Sequence, residues 1–208
     1  MLEFERLKLK EAAEAGDVMS IAINADDTPV RGVFVPWERT GTAFNMKIPK
    51  VTITAEDLKS EAVMNYLKKC RLIGLYCFTP LDDYEFIAEF PAIRDLFIRY
   101  GDNIRSLSFA RNLPDLYMIY LENARLDDLQ PLIDNFNGKD KEKILPAVCM
   151  AFYHCHVSDT SGLQESDFIT GELLVWPVEG DKKERWLMNG HRRPGIFRFY
   201  ERNKQDTV

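Results

Sequence analysis

The residues of this chain best equipped for chemistry sit together in Tyr153-His154-Cys155-His156. Two histidines one residue apart on a strand would share a side, a spacing that suits a transition metal, with Cys149 or Asp159 as further ligands. Cys155 next to a histidine also has the parts of a thiolate nucleophile and its base. These residues define one reading, a small metal-dependent or cysteine-based enzyme centred on His154, Cys155 and His156. Against it, the chain has only 3 histidines, and no other ligand motif, third orienting group or oxyanion site accompanies these two. The ordinary alternative is a strand with its polar residues at an edge. The loop Asn189 to Gly195 carries His191, Arg192 and Arg193 and could hold a phosphate or carboxylate, but it reads more simply as a solvated turn. Asp82-Asp83 and Asp127-Asp128 fall in turns or helix starts, where Asp caps backbone amides. There is no Walker A loop, GxGxxG, HExxH or GxSxG. No catalytic residue, metal ligand or cofactor is assigned.

A second set of residues repeats. In Leu116 to Ile133 the apolar positions are Leu116, Ile119, Leu121, Ala124, Leu126, Leu129 and Leu132. The first part alternates like a strand; the rest recurs every three residues, which suits a returning helical or 3-10 segment. Stepping back 23 residues from Leu116 gives Ile93, with Leu96 and Ile98; another 23 gives Cys70, with Ile73 and Leu75. Leucine or phenylalanine followed by proline precedes the later units, at Phe90-Pro91, Leu113-Pro114 and Leu145-Pro146. A fourth, degenerate unit, Val148, Ala151 and Tyr153, arrives nine residues late, and the excess, Asn135 to Lys143, reads as an inserted polar loop. A fixed step of this kind is the pattern of coils stacked on one another.

Over residues 70–158 this spacing resembles the leucine-rich repeat, and Leu126-x-Asp128-Leu129-x-Pro131-Leu132 is similar to the internalin type of bacterial repeat. The resemblance implies an α/β fold: a short right-handed solenoid with parallel strands, flanked by β-rich N- and C-terminal caps. It also implies a protein-binding rather than a catalytic role. One departure is plain. The family usually places Asn or Cys three residues after the last strand hydrophobe, where Phe78, Gly101, Ala124 and His156 stand here. A ladder of buried amides at that position is absent.

In each repeat strand, side chains alternate between faces. The residues expected on the concave face form three columns: Leu72, Asp95, Met118, Met150; Gly74, Phe97, Tyr120, Phe152; and Tyr76, Arg99, Glu122, His154. An aromatic strip flanked by charge suits a protein partner. The contact surface is therefore expected at Tyr76, Phe97, Arg99, Tyr120, Glu122, Phe152 and His154. The competing arrangement is a strip covered by the chain's own caps, with Trp37, Trp176 or Trp186 on the rings.

The elements around the repeats follow from local signals. Residues 3–15 suit a short helix ended by Gly16, Val18 to Asn24 a strand, and Val30 to Val35 a second strand that would complete a hairpin. Ile48 to Thr54 extends the sheet, and Thr54-Ala55-Glu56-Asp57 has the form of a capping box opening a helix to about Lys69. Residues 1–69 then form the N-terminal cap, 70–158 the repeats, and 159–208 a C-terminal β cap with strands near 172–177, 185–188 and 196–200. A chain of 208 residues is long enough for one sizeable core. The net charge of −6 argues against nucleic acid or an anionic membrane as a main partner. The N-terminus has no apolar signal-peptide core and no run reaches the length of a membrane span, so a cytoplasmic location is expected. Cys70, Cys77, Cys149 and Cys155 are then reduced thiols.

Overall fold

The computed structural model describes residues 1–30, 50–137, 149–159, 173–175, 184–187 and 198–201. Within them the chain is a mixed α/β structure with a largely parallel sheet. The helices and strands are α1 (Glu3–Ala15), β1 (Val18–Asn24), β2 (Val51–Thr54), α2 (Glu61–Lys69), β3 (Arg71–Cys77), β4 (Asp95–Ile98), β5 (Met118–Glu122), β6 (Arg125–Asp128), α3 (Gln130–Asn137), β7 (Cys149–Tyr153), β8 (His156–Asp159), β9 (Leu173–Val175), β10 (Glu184–Leu187) and β11 (Arg198–Glu201). Three 3-10 segments, Glu56–Lys59, Glu85–Glu89 and Ser108–Asn112, complete the described elements.

The main sheet has the order β11-β10-β9-β7-β5-β4-β3-β1-β2. Every pair from β2 to β9 is parallel, and β9, β10 and β11 turn back antiparallel. A second, two-stranded sheet pairs β6 with β8 in parallel. β1 and β2 continue the same parallel sheet as the repeat strands. The partner expected for β1 in a hairpin falls largely at 31–35, outside the described residues, as do the proline turn at 145–146, most of the polar insertion expected over Asn135 to Lys143, and the basic loop at 189–195. The first residues of that insertion, 135–137, are helical and close α3 instead of forming a loop.

The three-residue spacing has a direct structural meaning. A 3-10 turn has three residues per turn, so side chains three apart share one side. The amides of Ile87, Phe90 and Ile93 donate to the carbonyls of Tyr84, Ile87 and Phe90. Twenty-three residues later Ala110, Leu113 and Leu116 do the same to Leu107, Ala110 and Leu113. All of these side chains are buried. In the third unit, the Leu132 and Ile133 amides both reach the Leu129 carbonyl and the turn widens into α3.

Side chains tie α2, the 3-10 segments and α3 to one another across 21 to 25 residues. Lys68 pairs with Glu89, Ser108 Oγ donates to Glu85, and Arg111 Nε lies 3.0 Å from Asp134. Asn103 Nδ2 reaches the Leu81 carbonyl at 3.2 Å. The buried Asn135 donates through Nδ2 to the carbonyls of Ala110 and Leu113, the second at 2.8 Å. A buried amide does bridge two units, but from the helical layer and not from the turn after the strand.

The N-terminal elements follow their local signals closely. α1 buries Leu9, Ala12 and Ala13 and ends at Gly16, whose φ of 64° is the left-handed conformation that glycine adopts without a Cβ penalty. The capping box forms: the Thr54 amide donates to Asp57 Oδ2 at 2.8 Å and the Asp57 amide to Thr54 Oγ1 at 3.3 Å. It opens the 3-10 segment, and α2 starts afresh at Glu61 instead of running unbroken from Thr54. Burial alone would raise the Asp57 carboxyl, but the Thr54 amide and hydroxyl together with the terminal amine of Met1, 3.0 Å away, hold it below the usual carboxylate range.

Asn135→Ala removes the donor for two buried carbonyls. We expect a loss of about 1–3 kcal/mol in urea unfolding, against less than about 1 kcal/mol for the exposed pair broken by Arg111→Ala.

Candidate functional site

The expected interaction strip is built by β3, β4 and β5. Tyr76, Phe97 and Tyr120 are register partners across these strands. The rings of Phe97 and Tyr120 are stacked, with centroids 4.7 Å apart and planes 8° from parallel. Phe78 adds a fourth ring, 5.2 Å from Phe97 and tilted by 38°. It stands at one of the positions where the repeat pattern lacks an amide, and its aromatic character was the available signal for its role.

Two register differences alter the expected columns. Gly74 pairs with Asp95 and Tyr76 with Phe97, so Tyr76 belongs to the ring column and not beside Arg99. A slip of two residues keeps every side chain on its face, so the hydrophobic pattern cannot detect it. β7 is shifted by one: Tyr120 pairs with Ala151 and Leu121 with Phe152. A slip of one reverses the faces. Phe152 is fully buried in the hydrophobic core and is not part of the strip. The segment Cys149–Tyr153 has apolar or aromatic residues at every position, so alternation gave no basis for choosing its inward face.

Burial is the larger correction. Tyr76, Phe97 and Tyr120 are 0%, 4% and 6% exposed. Leu75, Leu96, Ile98, Ile119 and Leu121, which alternate with them, are equally buried. β3, β4 and β5 are therefore buried on both faces, as parallel sheets commonly are, and the ring column is not an open contact surface. Close packing extends to Gly74, where an added Cβ would stand 2.5 Å from Ser20 Oγ and 2.7 Å from the Tyr76 hydroxyl oxygen.

The charged members of the set lie at the strand ends. Arg99 Nε is 3.8 Å from Glu122 Oε2, and Glu122 Oε1 accepts the Tyr120 hydroxyl at 2.6 Å. The Arg99 side chain is 55% exposed and its Cζ lies 5.9 Å from the Tyr100 ring centroid. Asn123 Nδ2 donates to the Arg99 carbonyl at 3.3 Å. Arg99, Glu122 and Tyr120 therefore form one connected rim that emerges from the buried rings.

The histidine and cysteine residues are arranged differently from a strand-borne HxH. His154 follows β7 with φ 51°, at the turn position that Asn123, with φ 63°, occupies after β5. His156 begins β8 and pairs with Arg125. The two histidines straddle a turn, and the common side that the alternation implied does not exist. Among the described residues no group of three or more His, Cys, Asp or Glu is placed to hold a metal. Cys155 is buried, its Sγ donates to the Leu121 carbonyl at 3.3 Å, and burial pushes its thiol up to about 12. Burial raises Cys77 further still. A nucleophile needs an accessible thiolate, which Cys155 does not supply.

Truncating packed rings leaves cavities, so Phe97→Ala and Tyr120→Ala should each cost about 3–5 kcal/mol in chemical denaturation, and Tyr120→Phe only about 0.5–1.5 kcal/mol for the lost hydroxyl bond. Alkylation by iodoacetamide at about pH 8 should leave Cys77 and Cys155 unmodified in the folded protein and label both after unfolding, read by peptide mass spectrometry. Among the described residues no helix is long and apolar enough to cross a membrane. Comparison with protein-family models, with curated proteins and with solved structures finds no match for this chain.

Proposed function

We propose that this chain is a leucine-rich-repeat-like solenoid that serves as a protein-interaction module without catalysis, and that it meets its protein partner at the rim formed by Arg99, Glu122 and Tyr120. The solenoid part of this reading rests on the 23-residue step shared by the β4–β5 register and the two sets of 3-10 turns, and on side-chain bonds 22 to 25 residues apart. Stacked coils produce such a step because each coil contacts the next at equivalent positions.

The binding part rests on one observation: a half-exposed guanidinium stands at the end of a rigid ring column, beside a carboxylate oriented by Tyr120. Arginine held in one orientation at a packed aromatic edge can anchor a contact, and the paired carboxylate selects the partner's charge pattern. The buried rings act as support for the rim and not as contacts themselves. Tyr76 and Phe97 thus keep a structural part behind the rim, and Phe152 belongs to the core on the other face.

Arg99→Glu places two acidic groups at the rim without touching the core. Affinity capture from cell extract, run with wild type and Arg99→Glu side by side and with circular dichroism as the folding control, tests the reading. A protein held by wild type and lost from the folded variant is the expected result. Identical capture by both, or none by either, overturns it.

A further inference from the structure

We propose that α1 and the turn after β2 close the outer edge of the sheet, and that this closure keeps a second copy of the chain from pairing its own β2 there. β2 is the terminal strand of the sheet among the described residues. A parallel edge strand turns alternate amides away from its neighbour, and these form a template for another strand. In β2 those of Thr52 and Thr54 are both taken by carboxylates. The Thr52 amide donates to Glu5 Oε2 at 3.4 Å, and the Thr54 amide to Asp57 Oδ2 at 2.8 Å. Thr52 Oγ1 accepts the Val30 amide at 2.9 Å, which occupies the adjacent polar atom.

Glu5 is the informative residue. It is 1% exposed, on the face of α1 that packs against β2, and its other oxygen lies 3.8 Å from Lys8 Nζ. A glutamate is rarely buried to this degree without a partner that needs it. A leucine at this helix position would add apolar packing but leave the Thr52 amide without an acceptor. Carboxylates also carry charge toward any approaching strand, a known means of blocking edge pairing.

The occupant that this edge would admit is another β2. A strand residue presents its N–H and C=O on the same side, so Thr52 and Thr54 offer two donors and two acceptors in a row. Such a row is complementary to itself in antiparallel order, the arrangement that a two-fold axis generates.

The test combines amide hydrogen exchange by NMR with sedimentation over a range of concentrations. In Glu5→Ala the Thr52 amide should exchange at least about tenfold faster while Ile53 keeps its protection. Asp57→Ala should do the same at Thr54 and serves if Glu5→Ala does not fold; because Asp57 also pairs with the terminal amine of Met1, circular dichroism checks that α1 is retained. Glu5→Gln retains an acceptor and should keep Thr52 protected. The Glu5→Ala/Asp57→Ala variant, or Asp57→Ala alone if the double variant is unfolded, should self-associate more strongly than wild type. Unchanged exchange at Thr52 and Thr54 overturns the closure. Faster exchange in a folded variant that sediments like wild type overturns its role against pairing.

Discussion

The centre of the described sheet depends on one constraint: from β4 to β5, and from one set of 3-10 turns to the next, the chain returns to the same height after 23 residues. Two kinds of bond enforce it together. Parallel strand pairing holds the inner layer, where Leu96 meets Ile119 and Phe97 meets Tyr120. Three-residue turns hold the outer layer, where Tyr84 to Ile93 and Leu107 to Leu116 repeat the same i→i+3 bonds. Either layer alone would permit slippage. A strand can shift by two without changing its faces, and a short 3-10 segment has little stability by itself. The side-chain bonds between segments, Ser108 to Glu85, Arg111 to Asp134 and Asn135 to two carbonyls, remove that freedom.

The same constraint explains where polar groups go. Strands buried on both faces leave no water for unpaired atoms, and each unpaired atom would cost about 1–3 kcal/mol. Asn135, Cys155 and Tyr84 each supply a donor to a backbone carbonyl, and Glu5 supplies an acceptor to a backbone amide. Residues that resemble reactive groups in the sequence are thereby used as structural ones. Cys155 is the clearest case: its thiol is committed to Leu121 and its burial suppresses the thiolate. Charge is kept at the strand ends, where Arg99 and Glu122 remain in contact with water.

Local signals carried much of the fold. α1 with its Gly16 end, β1 and the Thr54–Asp57 box are legible, because each depends on residues within one or two turns of each other. The three-residue spacing from Ala124 to Leu132 falls instead on strand β6 followed by α3, and the 3-10 turns lie at Glu85–Glu89 and Ser108–Asn112. The 23-residue step is legible between β4 and β5, but β3 and β4 are offset by 21 residues and β5 and β7 by 31, so one period does not hold across the sheet. What went astray involved a choice between equivalent options. The two-residue slip of β3 leaves the pattern unchanged, and the one-residue slip of β7 occurs in a segment apolar at every position. Nothing in the sequence marks the left-handed turn at His154, so alternation alone places it on the strand.

The order of residues alone carries the local elements: α1 with its glycine end, β1, the cores of β3, β4 and β5, and the Thr54–Asp57 box. These follow from short-range patterns, which the sequence contains in full. The tertiary structure alone decided which alternating face carries water. Tyr76, Phe97 and Tyr120 have the types and spacing of an exposed contact strip, yet they are buried, because exposure depends on what else packs against a face. The edge of the sheet was decided in the same way. That Glu5 faces the Thr52 amide, 47 residues along the chain, is a consequence of how α1 is seated, and no local pattern encodes it.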